Sequence, residues 1–198
     1  GGGAPPTPWP PPPPPPPPPA PPAHVPTQKL RNGVDMPVIS AGVWQYTSEQ
    51  AATAVEEALK AGFTHIDTAY DYYNQDGVAK GLKSAMSGGR SRDSIFVTTK
   101  LPGCGLQNVS DESNETCYAD TAARIQDDLR LLELSQIDLM LIHFPPCHDK
   151  SECVLTKATC SQEQTCSMIQ AQWRAMAEAY KKGLLRAVGV SNNCSGCL

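Results

Sequence analysis

The sequence predicts an α/β fold organised on a parallel sheet, and three observations carry that reading. Five short β-type runs alternate with single amphipathic helical segments, the pattern that right-handed crossovers between parallel strands produce. Runs such as Asp138-Leu-Met-Leu-Ile142 are nearly apolar throughout, as a sheet covered on both faces requires. No Gly-x-Gly-x-x-Gly follows any run, so the phosphate-binding fingerprint of an open doubly wound sheet is absent. That absence favours a partial (β/α)₈ barrel of about five βα units.

The chain has 198 residues and a net charge of −4, with no long block of one sign. Neither nucleic acid nor an anionic membrane surface is suggested as a partner. No apolar run approaches the roughly 20 residues of a spanning helix. Residues 1–27 are low-complexity, with an unbroken proline run from Pro10 through Pro19. Proline fixes φ and lacks a donor, so this segment is expected to be a disordered polyproline II leader or linker. Its functional alternative is a ligand for a polyproline-binding protein, with Trp9 as anchor. Residues 28–198 read as the barrel part.

Asn32-Gly33 between Lys29-Leu-Arg31 and Val34-Asp-Met36 predicts a tight type I′ hairpin at its start. The β-type runs then span Val38–Trp44, Phe63–Ala69, Ile95–Leu101, Ile137–Phe144 and Leu185–Ser191. The first helix opens at Thr47, with Gln50 as capping-box partner, and stops at Gly62. Its Ala51, Val55, Ala58 and Leu59 recur at helical spacing. The second runs from about Asp76 to Met86. The third carries Ala122, Ile125, Leu129 and Leu132 on one face. The fourth carries Ile169, Trp173, Met176 and Tyr180 and ends at Gly183.

Functional groups of α/β folds collect at the carboxyl ends of strands. Here those ends bring Asp67 and Tyr72, Lys100, His143, and Ser191-Asn192 toward one mouth. A buried ammonium beside a buried carboxylate keeps its charge. A phenol next to that ammonium is expected to have its pKa drawn down from about 10. An imidazole nearby can orient a substrate oxygen. Such a set is equipped to protonate an oxygen as charge develops on it, which is the demand of carbonyl reduction. The hydride must come from a cofactor. His65, inside its run, reads as a hydrogen-bonded core histidine, and Tyr70 and Tyr73 as wall residues.

Five segments together resemble the successive signatures of the aldo-keto reductases: Gly42-Val-Trp44, His65-Ile-Asp-Thr-Ala-Tyr-Asp-Tyr72-Tyr-Asn74, Thr99-Lys100-Leu, Leu141-Ile-His143-Phe-Pro145 and Gly189-Val-Ser-Asn192. They lie in order between about Lys29 and Asn193. The resemblance implies a TIM barrel closed below by the hairpin, with NADPH (NADP) across its top and a small carbonyl compound as substrate. It makes Tyr72 the general acid, Lys100 and Asp67 the pair that tunes it, and His143 the orienter of the carbonyl. It places Gly42, Val43, Trp44, Asp67, Ser191 and Asn192 at the cofactor, and Trp44 and His143 at the substrate. It implies a monomer for the whole barrel.

The resemblance also implies three further strands after Asn192, and with them the rest of the cofactor site. The chain begins with Gly1 rather than Met and stops at Leu198, a few residues past an apolar run, so both ends read as cut, and efficient turnover is expected of a longer parent rather than of this piece. The rival expectation is a barrel fragment, regulatory subunit or adaptor that acts through protein interactions, including its polyproline arm.

Six of the eight cysteines (Cys104, Cys117, Cys147, Cys153, Cys160 and Cys166) fall in two polar stretches, and the last two form Cys194-Ser-Gly-Cys197. Sequons at Asn108, Asn114 and Asn193 accompany them. Loop cysteines with sequons lean toward a secretory or lumenal compartment over the cytoplasm, though pairing cannot be read from spacing. A zinc site using His148 is disfavoured because these loop cysteines lack tight Cys-x-x-Cys pairs. No metal is expected. Cys194 and Cys197 do have redox-motif spacing, but without a thioredoxin-like context a disulfide or ordinary thiols is the reading.

Overall fold

The structure is a computed structural model and describes residues 25–104, 114–146 and 162–193. The proline run, the Asn108 sequon, and Cys147, His148, Cys153, Cys160, Cys194 and Cys197 lie outside the described residues. Strands β1 (Thr27–Lys29) and β2 (Asp35–Pro37) precede β3 (Ala41–Gly42), β4 (His65–Asp67), β5 (Phe96–Leu101), β6 (Leu139–Ile142) and β7 (Val188–Val190). Helices α1 (Ser48–Lys60), α2 (Gln75–Ser87), α3 (Asn114–Leu131) and α4 (Gln162–Lys181) fill the four gaps between β3 and β7. The sheet runs β3-β4-β5-β6-β7, every pair parallel. A doubly wound sheet would reverse its order partway. Unbroken chain order is the order of a barrel wall, here five strands of it.

Strand parity divides the sheet. Ile66, Val97, Leu101, Met140 and Ile142 join the core with Val55, Leu59, Val78, Leu82, Ile125 and Met176 of the helices. The alternate residues Phe96, Leu139 and Ala187 face the other way, where Leu30, Val34 and Met36 of the β1–β2 hairpin pack against them. Asn32 fastens this cover by donating its amide to the Arg186 carbonyl at 2.8 Å. His65 lies at the same level, edge-on to Phe96, with Nδ1 2.8 Å from the Pro37 carbonyl and Nε2 2.7 Å from Thr98 Oγ1. Both ring nitrogens are engaged and burial lowers its pKa, so it is a neutral structural residue.

The hairpin is not type I′. That turn needs positive φ at both central residues, yet only Gly33 has it, at +86°. Gly33 N–H donates to the Leu30 carbonyl, and Leu30 N–H to the Val34 carbonyl. The loop is therefore three residues long, with glycine in the left-handed position that follows an ordinary turn.

At α1 the Thr47 side chain accepts from Gln50 N–H, and the Gln50 side chain accepts from Thr47 N–H. The capping box thus forms as the sequence predicts. Helix α2 lies close against α1 because Gly77 and Gly81 lack side chains. A Cβ on Gly77 would stand 2.0 Å from the Ser48 carbonyl oxygen, and one on Gly81 2.6 Å from that of Ala52. The buried face of α3 is Cys117, Thr121, Ile125, Asp128 and Leu129. In α4 the expected stripe is wrong at two positions. Trp173 and Tyr180 are exposed, and Met168, Ile169, Ala171, Gln172, Ala175, Met176 and Ala179 are buried. Small residues and Gln172 face inward, where Gln172 donates to the Pro102 carbonyl. Size alone misled the sequence reading there.

All five sheet strands are shorter than their sequence runs, β3 most of all. Val38 and Ile39 are exposed ahead of β3, and Leu185 meets Ile137 only through an isolated bridge. Below the sheet, the buried Asp138 carboxylate accepts from Arg92 Nη2 at 2.7 Å, from Val97 N–H at 2.9 Å, and from Arg186 Nη1. Two guanidiniums and an amide thus offset the desolvation of one charge.

Candidate active site

The register puts the candidate residues together. Asp67 pairs with Thr98, and Lys100, two residues on, faces the same way one step nearer the strand end. Leu141 pairs with Lys100, and His143 follows it by two. The Lys100 ammonium donates to Asp67 Oδ1 at 2.6 Å and to the Thr68 carbonyl at 2.9 Å. It lies 3.4 Å from the Tyr72 hydroxyl oxygen and 5.1 Å from the centre of that ring. Tyr72 sits in a short 3₁₀ turn, Tyr70–Tyr72, that ends at Tyr73 with φ 57°. The Tyr72 ring meets the His143 ring edge-on at 5.6 Å.

Asn192 donates its amide to the His143 carbonyl at 2.9 Å and to Ser191 Oγ at 3.1 Å. Val43 N–H reaches the Asp67 carbonyl, and Asn74 ties the Val43 and Tyr46 carbonyls to the head of α2. Gly42 pairs with Asp67. Trp44 is 64% exposed. Tyr73 is exposed, and Tyr70 turns outward to donate to Asp127 at 2.8 Å.

The phenol departs from expectation. Burial, followed by the charges of Asp67 and Asp71, raises the Tyr72 pKa to about 12. The Lys100 charge is taken up by Asp67, so two carboxylates outweigh one ammonium at the hydroxyl. The site holds this phenol protonated.

Residues 38–195 match the model of the aldo/keto reductase family. The chain belongs to the aldo/keto reductase family.

Similar members include methylglyoxal reductase DkgA of Escherichia coli O157:H7, 34% identical over 83% of this chain and 48% of the relative. Glyoxal reductase of Bacillus subtilis is 35% identical, over 84% and 49%. D/L-glyceraldehyde reductase of Hypocrea jecorina is 34% identical, over 84% and 48%. The chain thus spans about half the length of these curated relatives. Among solved structures, an aldo/keto reductase of Brucella melitensis superposes with a TM-score of 0.68 at 34% identity, covering 88% of this chain and 56% of that one. A Bombyx mori aldo-keto reductase in complex with NADP gives 0.65 at 27% identity, over 85% and 50%. The five-stranded sheet is accordingly a partial TIM barrel.

Sequence reasoning missed three features of this aldo/keto reductase site. Asp71 places Oδ1 2.8 Å from His143 Nδ1. Its neighbours Tyr70 and Tyr72 drew attention as aromatics, and nothing in the spacing says which way a 3₁₀ turn aims the residue between them. The second is a buried polar network behind the sheet. Asp128 of α3 accepts from Thr99 at 2.8 Å and from the Gln75 amide, and Thr68 donates to Gln75 at 2.7 Å. Burial pushes the Asp128 carboxyl up to about 7. A charge in phase with Ile125 and Leu132 was the available signal. The third is a pairing that the spacing left open, Cys104 with Cys117, whose disulfide ties the segment after β5 to the first turns of α3. Cys166 is also disulfide-bonded, and its partner lies outside the described residues.

Among the described residues, no group of three His, Cys, Asp or Glu is placed to hold a metal ion, and no helix is long and apolar enough to cross a membrane.

Proposed function

We propose that this chain carries the carbonyl-reducing part of an NADPH-dependent oxidoreductase that converts small aldehydes or ketones to alcohols. The observation that carries this is the Asp67–Lys100–Tyr72 contact beside His143, all at the carboxyl ends of adjacent strands. Relatives named as methylglyoxal, glyoxal and glyceraldehyde reductases support a small carbonyl substrate.

The bound reduced nicotinamide supplies the hydride, which no side chain can. The residues present fit that group as far as they extend. Asn192 spends its N–H on His143 and Ser191, which leaves its carbonyl oxygen and the Ser191 hydroxyl for a carboxamide. Gly42, Val43, Trp44 and Asp67 would line the same side. Tyr72 is the general acid. Its raised pKa keeps the proton on oxygen at neutral pH, and a developing alkoxide is more basic than a phenolate, so transfer remains downhill. Lys100 aims and electrostatically supports the phenol, Asp67 holds Lys100, and His143 positions the carbonyl oxygen.

The Cys104–Cys117 disulfide and the exposed Asn114 at the start of α3 support a secretory or lumenal compartment. Residues 1–27 are proposed as a proline-rich leader or linker to the barrel part.

The test is NADPH oxidation with an aldehyde panel by this chain, its Tyr72→Phe variant and a longer product of the same gene. Turnover lost on removing the phenol establishes the reading. Silence from every form refutes it and favours a role through protein interactions.

A further inference from the structure

Asp71 and His143 meet with Oδ1 2.8 Å from Nδ1, and their side chains are only 8% and 9% exposed. The ring is fixed on its other sides as well. It stacks on Phe144 at 4.2 Å, meets Tyr72 edge-on, and its own carbonyl accepts from Asn192. Asp71 and Tyr72 are consecutive in one turn, yet they reach different strands, Asp71 the end of β6 and Tyr72 the end of β5.

An ionised carboxylate can only accept, so this contact puts a proton on Nδ1. A neutral ring so held carries its lone pair at Nε2 and cannot donate to a carbonyl oxygen. When the ring gains a second proton, Nε2 becomes a donor, and the carboxylate balances the charge at Nδ1. We propose that Asp71 is a positioning residue acting through His143: it locks the Nδ1–H form and makes the charged ring the one that grips the substrate oxygen. The carbonyl is then polarised from two directions, by the Tyr72 hydroxyl and by a cationic Nε2–H, without Asp71 touching substrate. This rests on the reading above that His143 meets the carbonyl.

The first measurement needs no turnover. Nitrogen-15 NMR of the imidazoles in the 198-residue chain, assigned with His143→Gln, reports which ring nitrogen of His143 bears hydrogen. The wild type should show hydrogen on Nδ1. Asp71→Ala should release it to Nε2. Asp71→Asn, whose amide oxygen can still accept, should restore the Nδ1–H form without the charge. A neutral Nε2–H ring in the wild type, or an unchanged ring in Asp71→Ala, overturns the proposal.

In whichever form turns over, Asp71→Ala and Asp71→Asn should each lower kcat roughly tenfold or more, and should change it far less in the His143→Gln background, where only the charge of Asp71 on Tyr72 is left to remove. Equal losses in both backgrounds also overturn it, because Asp71 would then act on something else. A locked Nδ1–H ring in a protein silent toward every aldehyde supports the pairing and sinks only the proposed reaction.

Discussion

Lys100 and Asp67 meet diagonally across β5 and β4, with Nζ 2.6 Å from Oδ1, and their pairing organises the site around it. The pair is asymmetric, since Lys100 is buried and Asp67 is about one-third exposed. Lys100 needs its partner more than Asp67 does. Asp67→Asn should therefore destabilise the fold by about 2–3 kcal/mol, and Lys100→Met by less. The double variant should lose less than the sum, a coupling of roughly 1 kcal/mol or more in urea denaturation. Additive losses would mean the pair carries no net interaction.

Ultraviolet titration of the phenols checks the protonation of Tyr72. Its pKa of about 12 comes from burial first and from Asp67 and Asp71 next. Tyr70 is raised as well, by burial and by Asp127, and Tyr118 by its hydrogen bond to Glu178. The highest step, well above the ordinary value of about 10, should belong to Tyr72. That step should disappear in Tyr72→Phe. It should fall toward the ordinary value in Asp67→Asn, where a charge is removed. A Tyr72 phenol ionising below about 10 would restore the expectation drawn from the Lys100 ammonium alone.

Asp128 predicts an unusual pH slope. Its folded pKa of about 7 lies above the unfolded value of about 3.9. Between those values the folded chain binds more protons than the unfolded one, so this group's contribution falls as pH rises through the window. Asp128→Asn removes the titration, and the Thr99 hydroxyl can turn to accept from the new amide. Relative to wild type, the variant should be most stabilised above about pH 7, by on the order of 3 kcal/mol, and little changed near pH 4. Denaturation at several pH values gives the difference, and a flat one would contradict the buried carboxyl.

The Cys104–Cys117 bridge closes a loop of sequence separation 13. Constraint of the unfolded chain by such a loop is worth about 3 kcal/mol. The Cys104→Ser/Cys117→Ser variant should lose that amount. A reductant should lower the wild-type midpoint toward the variant's while leaving the variant less affected, since Cys166 is bridged elsewhere. Mass spectrometry showing two free thiols at these positions in the native protein would remove both the effect and its support for an oxidising compartment.

The alternation of apolar runs and capped helices was legible in the chain because it is local. The Thr47–Gln50 capping box needs only residues three apart, and strand parity needs only residues two apart. The same locality placed Asp67, Lys100 and His143 on one face, since each is set by its own strand's period. Other features depend on which elements meet. Whether Trp173 or Ala175 lies inside α4 depends on how closely that helix approaches α3 and the sheet, which its own periodicity does not reveal. The Asp71–His143 contact spans 72 residues and depends on the hand of a single turn. The direction of the Tyr72 shift follows from burial and from the charges of Asp67 and Asp71, and its sign exists only once the site is assembled. Sequence by itself therefore determined the family, the strand order and the four clustered groups. Tertiary structure alone decided their electrostatics, the partner of the histidine and the pairing of Cys104 with Cys117, because those follow from distances between segments that no local pattern encodes.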